Sequence, residues 1–249
     1  MATATEIAVA ERVVLVTGST SGIGEATALR FAKDGDHVVF NSVRSVEAGE
    51  RLAGATPNSI YVQGDVAKSE DCTRLVAAVL EHYGRLDVLI NNAGTTKVIP
   101  HADLQAASLD VWREIFEVNV FGTWSLCVAA MDALRASHGA IVNVSSLAGV
   151  RETGSSIPYA ASKAAVNHMT ALLAKVVGPE VRVNAVAPGL IDTPWTEDWE
   201  TVRGYVRAVA PLKRSGTPED VADVIVALAS SAYVTGQVVV VDGGLGLAT

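Results

Sequence analysis

The chain has 249 residues, of which 49% are apolar and 18% charged, with a formal net charge of −8 and a pI near 5.1. That length supports one sizeable hydrophobic core and the apolar share sets the chain apart from disordered sequences. The acidic balance argues against nucleic acid or an anionic membrane as partner, because both call for clustered Lys and Arg.

Residues 1–11 hold two acids and no basic stretch, and read as an N-terminal tail rather than an export signal. Beyond them the apolar runs Val13–Thr17, His37–Asn41, Ile60–Gln63, Leu86–Ile90, Ala140–Val144, Val181–Val186 and Val238–Val241 predict seven buried strands. Helical spacing lies between them, over Gly24–Lys33, Ser69–Tyr83, Ser108–Leu134, Tyr159–Val177 and Pro218–Ser230. Strands that are apolar on both faces and alternate with helices predict an α/β fold, a doubly wound parallel seven-stranded sheet with helices on both faces, spanning residues 12–249 as one domain. Such a sheet takes its ligand outside the carboxyl ends of the strands. Pro188–Arg214 lacks a clear period and reads as a substrate lid with a short helix of its own. Cys72 and Cys127 have no Cys or His neighbour at metal or redox spacing, so no metal site or disulfide is expected, and a reducing cytoplasm is.

Three stretches carry chemistry. The first strand runs into Gly18-x-x-x-Gly22-x-Gly24 and then a helix; glycines there permit close backbone approach, and free N–H groups at the helix start suit a pyrophosphate. Tyr159 and Lys163 are four residues apart, on one helical face. A cation about 4 Å from a phenol, at an effective dielectric near 20, contributes roughly 4 kcal/mol, or about three pKa units, so the pair is expected to bring Tyr159 toward neutrality for acid/base work. Ser145 and Ser146 end the strand upstream, where a hydroxyl can hold a substrate oxygen. His101 and His168 lack a partner that would make them bases and read as a loop and a helix residue.

Together with Asp65-Val66, Asn91-Asn92-Ala93-Gly94, Asn119, Pro188-Gly189 and Asp242-Gly243-Gly244, these motifs span nearly the whole chain and resemble the short single-domain branch of the short-chain dehydrogenase/reductase family. The resemblance implies that Tyr159 is the general acid/base and that Lys163 lowers its pKa and holds the nicotinamide ribose. It implies that Ser146, rather than Ser145, binds the reacting oxygen, and that Asn119 anchors a water in a proton relay. Cofactor contacts are implied for Gly18, Ser21, Ile23 and Gly24 at the pyrophosphate and for Asp65 and Val66 at the adenine. Asn91, Ala93 and Gly94 would run beside the ribose and nicotinamide, and Pro188, Gly189, Ile191 and Thr193 would meet the carboxamide. Asp242-Gly243-Gly244 reads as a structural turn.

Cofactor choice is read at the end of the second strand. Ser42 stands where an acid would select NAD(H), with Arg44 two positions on; a guanidinium and hydroxyls suit a 2′-phosphate, so NADP(H) is favoured over NAD(H). Trp195 and Trp199 in the lid point to apolar or aromatic ketones, or else to packing of the lid. A small ketone or secondary alcohol is the leading substrate, with a 3-oxoacyl-[acyl-carrier-protein] reductase as the alternative and a non-catalytic cofactor-binding sensor as the rival from another class. The family resemblance and the apolar content of the two longest helices imply a homotetramer.

Overall fold

The computed structural model of the chain describes residues 11–248; apart from Glu11, the expected tail lies outside them. Seven strands, β1 (Val13–Val16), β2 (His37–Ser42), β3 (Ser59–Gln63), β4 (Val88–Asn91), β5 (Ala140–Val144), β6 (Arg182–Pro188) and β7 (Val238–Val241), form one sheet in the order β3-β2-β1-β4-β5-β6-β7. Every pairing is parallel. The helices are α1 (Gly22–Lys33), α2 (Val46–Ala55), α3 (Ser69–Tyr83), α4 (Leu109–Phe116), α5 (Thr123–Ala136), α6 (Ile157–Val177), α7 (Glu200–Val209) and α8 (Pro218–Ser230).

Strand alternation divides the core between the two faces of the sheet. Leu15, Val39, Leu89, Ile141 and Val183 pack with α3, α5 and α6 on one side. Their neighbours Val16, Phe40, Ile90, Val142 and Val186 pack with α1 and α8 on the other. A sheet covered on both faces needs apolar residues at every strand position, which is why these runs show no period-two pattern. The strand order reverses between β1 and β4, so the crevice at their carboxyl ends is the place for a ligand.

Two elements differ from the reading of the sequence. Helix α2 was not anticipated: of its ten residues only Gly49 is fully buried, with Leu52 and Ala53 partly buried against the core, so its apolar face is short. The helix expected over Ser108–Leu134 is interrupted by a π-helical turn at Glu117–Gly122. Such a turn takes in an extra residue without changing composition, so hydrophobic spacing does not reveal it.

Candidate active site

A cleft of about 1390 Å³ runs across the carboxyl ends of β1, β2, β4, β5 and β6. Its floor is built where β5 ends. Ser145 and Ser146 leave the strand in opposite senses: the Ser145 hydroxyl is buried and donates to the Lys163 carbonyl at 3.2 Å, whereas Ser146 caps a short 3-10 turn at Leu147–Gly149 and faces the cleft. Helix α6 begins at the Ser156 cap, whose hydroxyl accepts from Tyr159 N at 3.4 Å, with Pro158 in its first turn. One turn separates Tyr159 from Lys163, so both reach the floor from the same helix face.

Lys163 is buried and its ammonium donates to the Val144 carbonyl at 2.8 Å. Burial brings its pKa down to about 8. Tyr159 is desolvated by the cleft floor, which raises its pKa, and a hydrogen bond with Ser146 draws it partly back. This corrects the expected effect of Lys163: its Nζ sits 5.8 Å from the centre of the phenol ring and is engaged by a carbonyl. Ser146 is the neighbour that lowers the phenol, and desolvation outweighs it.

Asn119 lies in the π-helical turn, fully buried. Its carboxamide oxygen accepts from Thr95 N at 2.8 Å, while its nitrogen donates to Thr95 O at 3.0 Å and Ser162 Oγ at 2.9 Å. It therefore clamps the loop after β4 onto α6. Gly94 sits between Asn119 and Lys163: a Cβ there would lie 3.4 Å from Asn119 Oδ1 and 3.5 Å from Lys163 Nζ.

The other half of the cleft is a backbone cradle. Gly18 has φ +60° and a Cβ there would stand 3.0 Å from Ala93 Cα. A Cβ on Gly24 would meet Gly18 O at 2.3 Å, and the turn is held by Asn92, whose side chain donates to Thr17 O and Gly18 O at 2.8 and 3.0 Å. Opposite it, Thr193 comes within 3.2 Å of where a Gly22 side chain would be. The open N-terminus of α1 and a turn stripped of side chains fit a dinucleotide pyrophosphate. Ser42, Arg44, Asp65 and Val66 line the far end.

The comparisons agree on what this arrangement is. The family model described as enoyl-(acyl carrier protein) reductase matches residues 18–246. A protein of Streptomyces violaceoruber described as candidate ketoacyl reductase 2 of the granaticin polyketide synthase is 56% identical over 93% of this chain and 95% of its own. The 3-oxoacyl-[acyl-carrier-protein] reductase of Thermotoga maritima is 40% identical over 94% of this chain and 97% of its own. Among solved structures, a short-chain dehydrogenase/reductase of Burkholderia xenovorans has 38% identity and a TM-score of 0.90 over 96% of this chain and 99% of its own. ElxO with NADP bound has 31% identity and a TM-score of 0.86 over 94% and 98%.

This chain is a short-chain dehydrogenase/reductase. Like the family, it is an NAD(P)-dependent oxidoreductase acting on CH–OH and C=O groups.

In this short-chain dehydrogenase/reductase the cleft brings together most of the residues expected from sequence. Gly18, Ser21, Ile23, Gly24, Ala93, Gly94, Pro188, Gly189, Ile191 and Thr193 line it along with Ser146, Tyr159 and Lys163. Asn91 is a correction. Its side chain is turned into the sheet, donating to Asn143 Oδ1 at 2.9 Å and to Cys127 Sγ at 3.4 Å, because it is the last residue of β4 and faces the core. Its neighbour Asn92 is the one that meets the cleft. Asn41 was also missed: it accepts from Gly18 N at 3.4 Å and donates to Val62 O and Gly64 O at 3.1 Å, tying the glycine turn to the end of β3.

The excursion over 188–214 carries a 3-10 turn at Pro194–Thr196 and helix α7. The two tryptophans part company. Trp195 is half-exposed and stands edge-on to Tyr159, with ring centres 6.4 Å apart. Trp199 packs on Leu147, Leu190, Val206, Ala210 and Leu245, fastening the segment to the body. Arg203 braces it further, donating to Asp192 at 2.7 Å and to Thr196 O at 2.6 Å. The Asp242 carboxylate accepts from Gly244 N and Gly246 N at 2.8 and 2.6 Å, a closed turn as expected.

Proposed function

We propose that this enzyme reduces a free small ketone, or oxidises the matching secondary alcohol, with NADP(H), and that Ser146, Tyr159, Lys163 and Asn119 are its working set. The observation that carries the reading is that Ser146 and Tyr159 line the cleft together, the serine acting to lower the phenol's pKa, beside the glycine cradle and one helical turn from a buried Lys. Bound along that cradle, the nicotinamide cofactor supplies the hydride. Tyr159, whose pKa is raised by desolvation, donates its proton to the carbonyl oxygen, which Ser146 orients by a hydrogen bond. Lys163, with a pKa near 8, stands within a turn to return the proton. Asn119 positions the Thr95 loop against α6 at the inner end of that path.

Two hydroxyls converging on one oxygen favour a carbonyl over an isolated C=C as the reducible bond. Around the catalytic floor the cleft is lined by Glu117, Glu152 and Asp198 and by Glu114, which is paired with Lys97, against His101 and the buried Lys163. A strongly acidic acyl carrier would be repelled there, which supports a free substrate over the carrier-borne 3-oxoacyl alternative. Trp195 offers a half-exposed aromatic surface beside Tyr159, suited to an apolar or aromatic ketone.

At the other end, Arg44 lines the cleft. It is exposed on the cleft wall after β2, next to Ser42, where it is placed to take a 2′-phosphate. ElxO, which was solved with NADP, supports the same choice. Arg44→Ala is expected to raise the NADPH Michaelis constant about tenfold or more, the worth of one charge-assisted bond, with NADH almost unaffected. Initial rates with both cofactors against a panel of free ketones and carrier-borne 3-oxoacyl substrates check this. Equal efficiency with NADH, or a clear preference for carrier-borne substrates, would reverse the respective assignment.

The buried thiols of Cys72 and Cys127 fit a reducing cytoplasm, and no described helix is long and apolar enough to cross a membrane. A homotetramer is the assembly proposed. Phe121, Trp124 and Val128 leave an exposed apolar stripe running from the π-helical turn into α5, and Leu172 and Val176 leave another on α6; symmetric pairing would cover both. Sedimentation at micromolar concentration should give four times 25.9 kDa, and a monomer would refute it.

A further inference from the structure

Resting on the NADP(H) reading, we infer that Tyr61 is a positioning residue for cofactor selection, acting through Ser42. Strand alternation puts Phe40 and Ser42 on one face of β2, and the parallel register Phe40↔Tyr61 puts Tyr61 of β3 on that same face. The two hydroxyls meet at 2.9 Å, and the Tyr61 hydroxyl is also placed to donate to the Ser42 carbonyl oxygen at 3.3 Å. Ser42 is otherwise buried, yet it lines the end of the cleft beside Arg44.

The phenol brings one proton to a serine that has one of its own. When Tyr61 donates across the shorter, 2.9 Å contact rather than to the carbonyl at 3.3 Å, Ser42 Oγ is the acceptor and the serine proton is left to point into the cleft. There it can donate to an anionic oxygen on the adenosine ribose, next to the guanidinium. Tyr61 thus converts a hydroxyl that could point either way into a directed donor, and this matters for a phosphate, which accepts only, more than for a ribose hydroxyl, which both donates and accepts.

The ring is placed for this by α2. A Cβ on Gly49 would collide with the Tyr61 ring, so the absence of a side chain there lets the phenol lie beneath the helix with its hydroxyl against Ser42. Gly49 is also the one buried residue of that helix. The contact gives α2 a purpose that its weak apolar pattern does not reveal.

Equilibrium binding of adenosine 2′,5′-bisphosphate and of 5′-AMP to the purified protein separates the possibilities, since the two probes differ only in the 2′-phosphate. The parent should prefer the bisphosphate. Tyr61→Phe should weaken the bisphosphate about five- to tenfold, the range of one hydrogen bond to a charged group, and leave 5′-AMP unchanged. Ser42→Ala should do the same, and the double variant should be no worse than either, since both remove one coupled contact. If the parent prefers the bisphosphate but Tyr61→Phe leaves the ratio of the two affinities where it was, or weakens both probes equally, Tyr61 is only a packing residue. A parent without any preference would overturn the NADP(H) reading itself, and this inference with it.

Discussion

Tyr159→Phe is expected to lower turnover by about 10²–10⁴-fold, the share that a positioned proton donor supplies. The ring survives the change, so its edge contact with Trp195 and the packing of α6 are preserved, and NADPH should bind nearly as in the parent. The pH profile adds a readout that lost packing cannot mimic. With the phenol's pKa raised by desolvation, reduction by the parent should hold steady through neutrality and fall only in alkali as the proton leaves. The residual rate of the variant should lack that alkaline limb. Stopped-flow reduction of a good ketone from pH 6 to pH 10 measures both, and activity within about tenfold of the parent would remove Tyr159 from the role.

The second large effect is expected at a position with no functional group at all. Gly24→Ala adds a methyl that must sit 2.3 Å from Gly18 O and 2.4 Å from Asn92 Nδ2, well inside contact distance. Neither neighbour is free to move, because Asn92 donates to both Thr17 O and Gly18 O and Gly18 N donates to Asn41 Oδ1. Helix propensity favours alanine by about 1 kcal/mol, but overpacking of a fixed site costs about 1–3 kcal/mol, so strain wins and α1 must back away from the turn. Cofactor affinity should fall about a hundredfold or more, because the N–H groups that would meet the pyrophosphate move with the helix. The melting temperature should drop by a few degrees, as about 1–2 kcal/mol does in a domain of this size. Titration of NADPH fluorescence alongside thermal melting separates the two effects, and unchanged affinity would show that the turn has slack.

How far the sequence carries toward this picture depends on what each residue has to specify. The seven strands were legible because a sheet buried on both faces forces unbroken runs such as Val13–Val16 and Ala140–Val144, and such runs are hard to mistake. Spacing places Tyr159 and Lys163 on one helix face, and the family resemblance singles out Ser146; all three line the cleft. What spacing does not encode is which of two neighbours faces in. Asn91 and Asn92, and Ser145 and Ser146, are adjacent, of the same type and oppositely directed. In both pairs a strand ends at or just before the residues in question, and the last pleat decides the direction. The tryptophans show the same limit: both line the cleft, and only packing shows that Trp199 is also anchored on Leu147, Leu190 and Val206 while Trp195 stands edge-on to Tyr159. The effect of Lys163 on Tyr159 is hidden for a related reason, since helix spacing brings Lys163 near but does not say that its ammonium donates to the Val144 carbonyl.

The π-helical turn at Glu117–Gly122 has a geometric consequence for the molecule as a whole. One residue added to a continuous helix advances the phase of everything after it by about 100°. The stretch from Leu109 to Ala136 therefore presents two faces instead of one: α4 packs on α6, and α5, beyond the slip, packs on α3. A single rod is thus shared between two neighbours, and the residue at the slip, Asn119, is the one whose carboxamide reaches across to the loop beside the cleft. Removing any one residue from this segment would restore the ordinary winding and swing the whole of α5 out of phase with α3, so the segment sets the timing of the helical layer as well as holding one of its polar side chains.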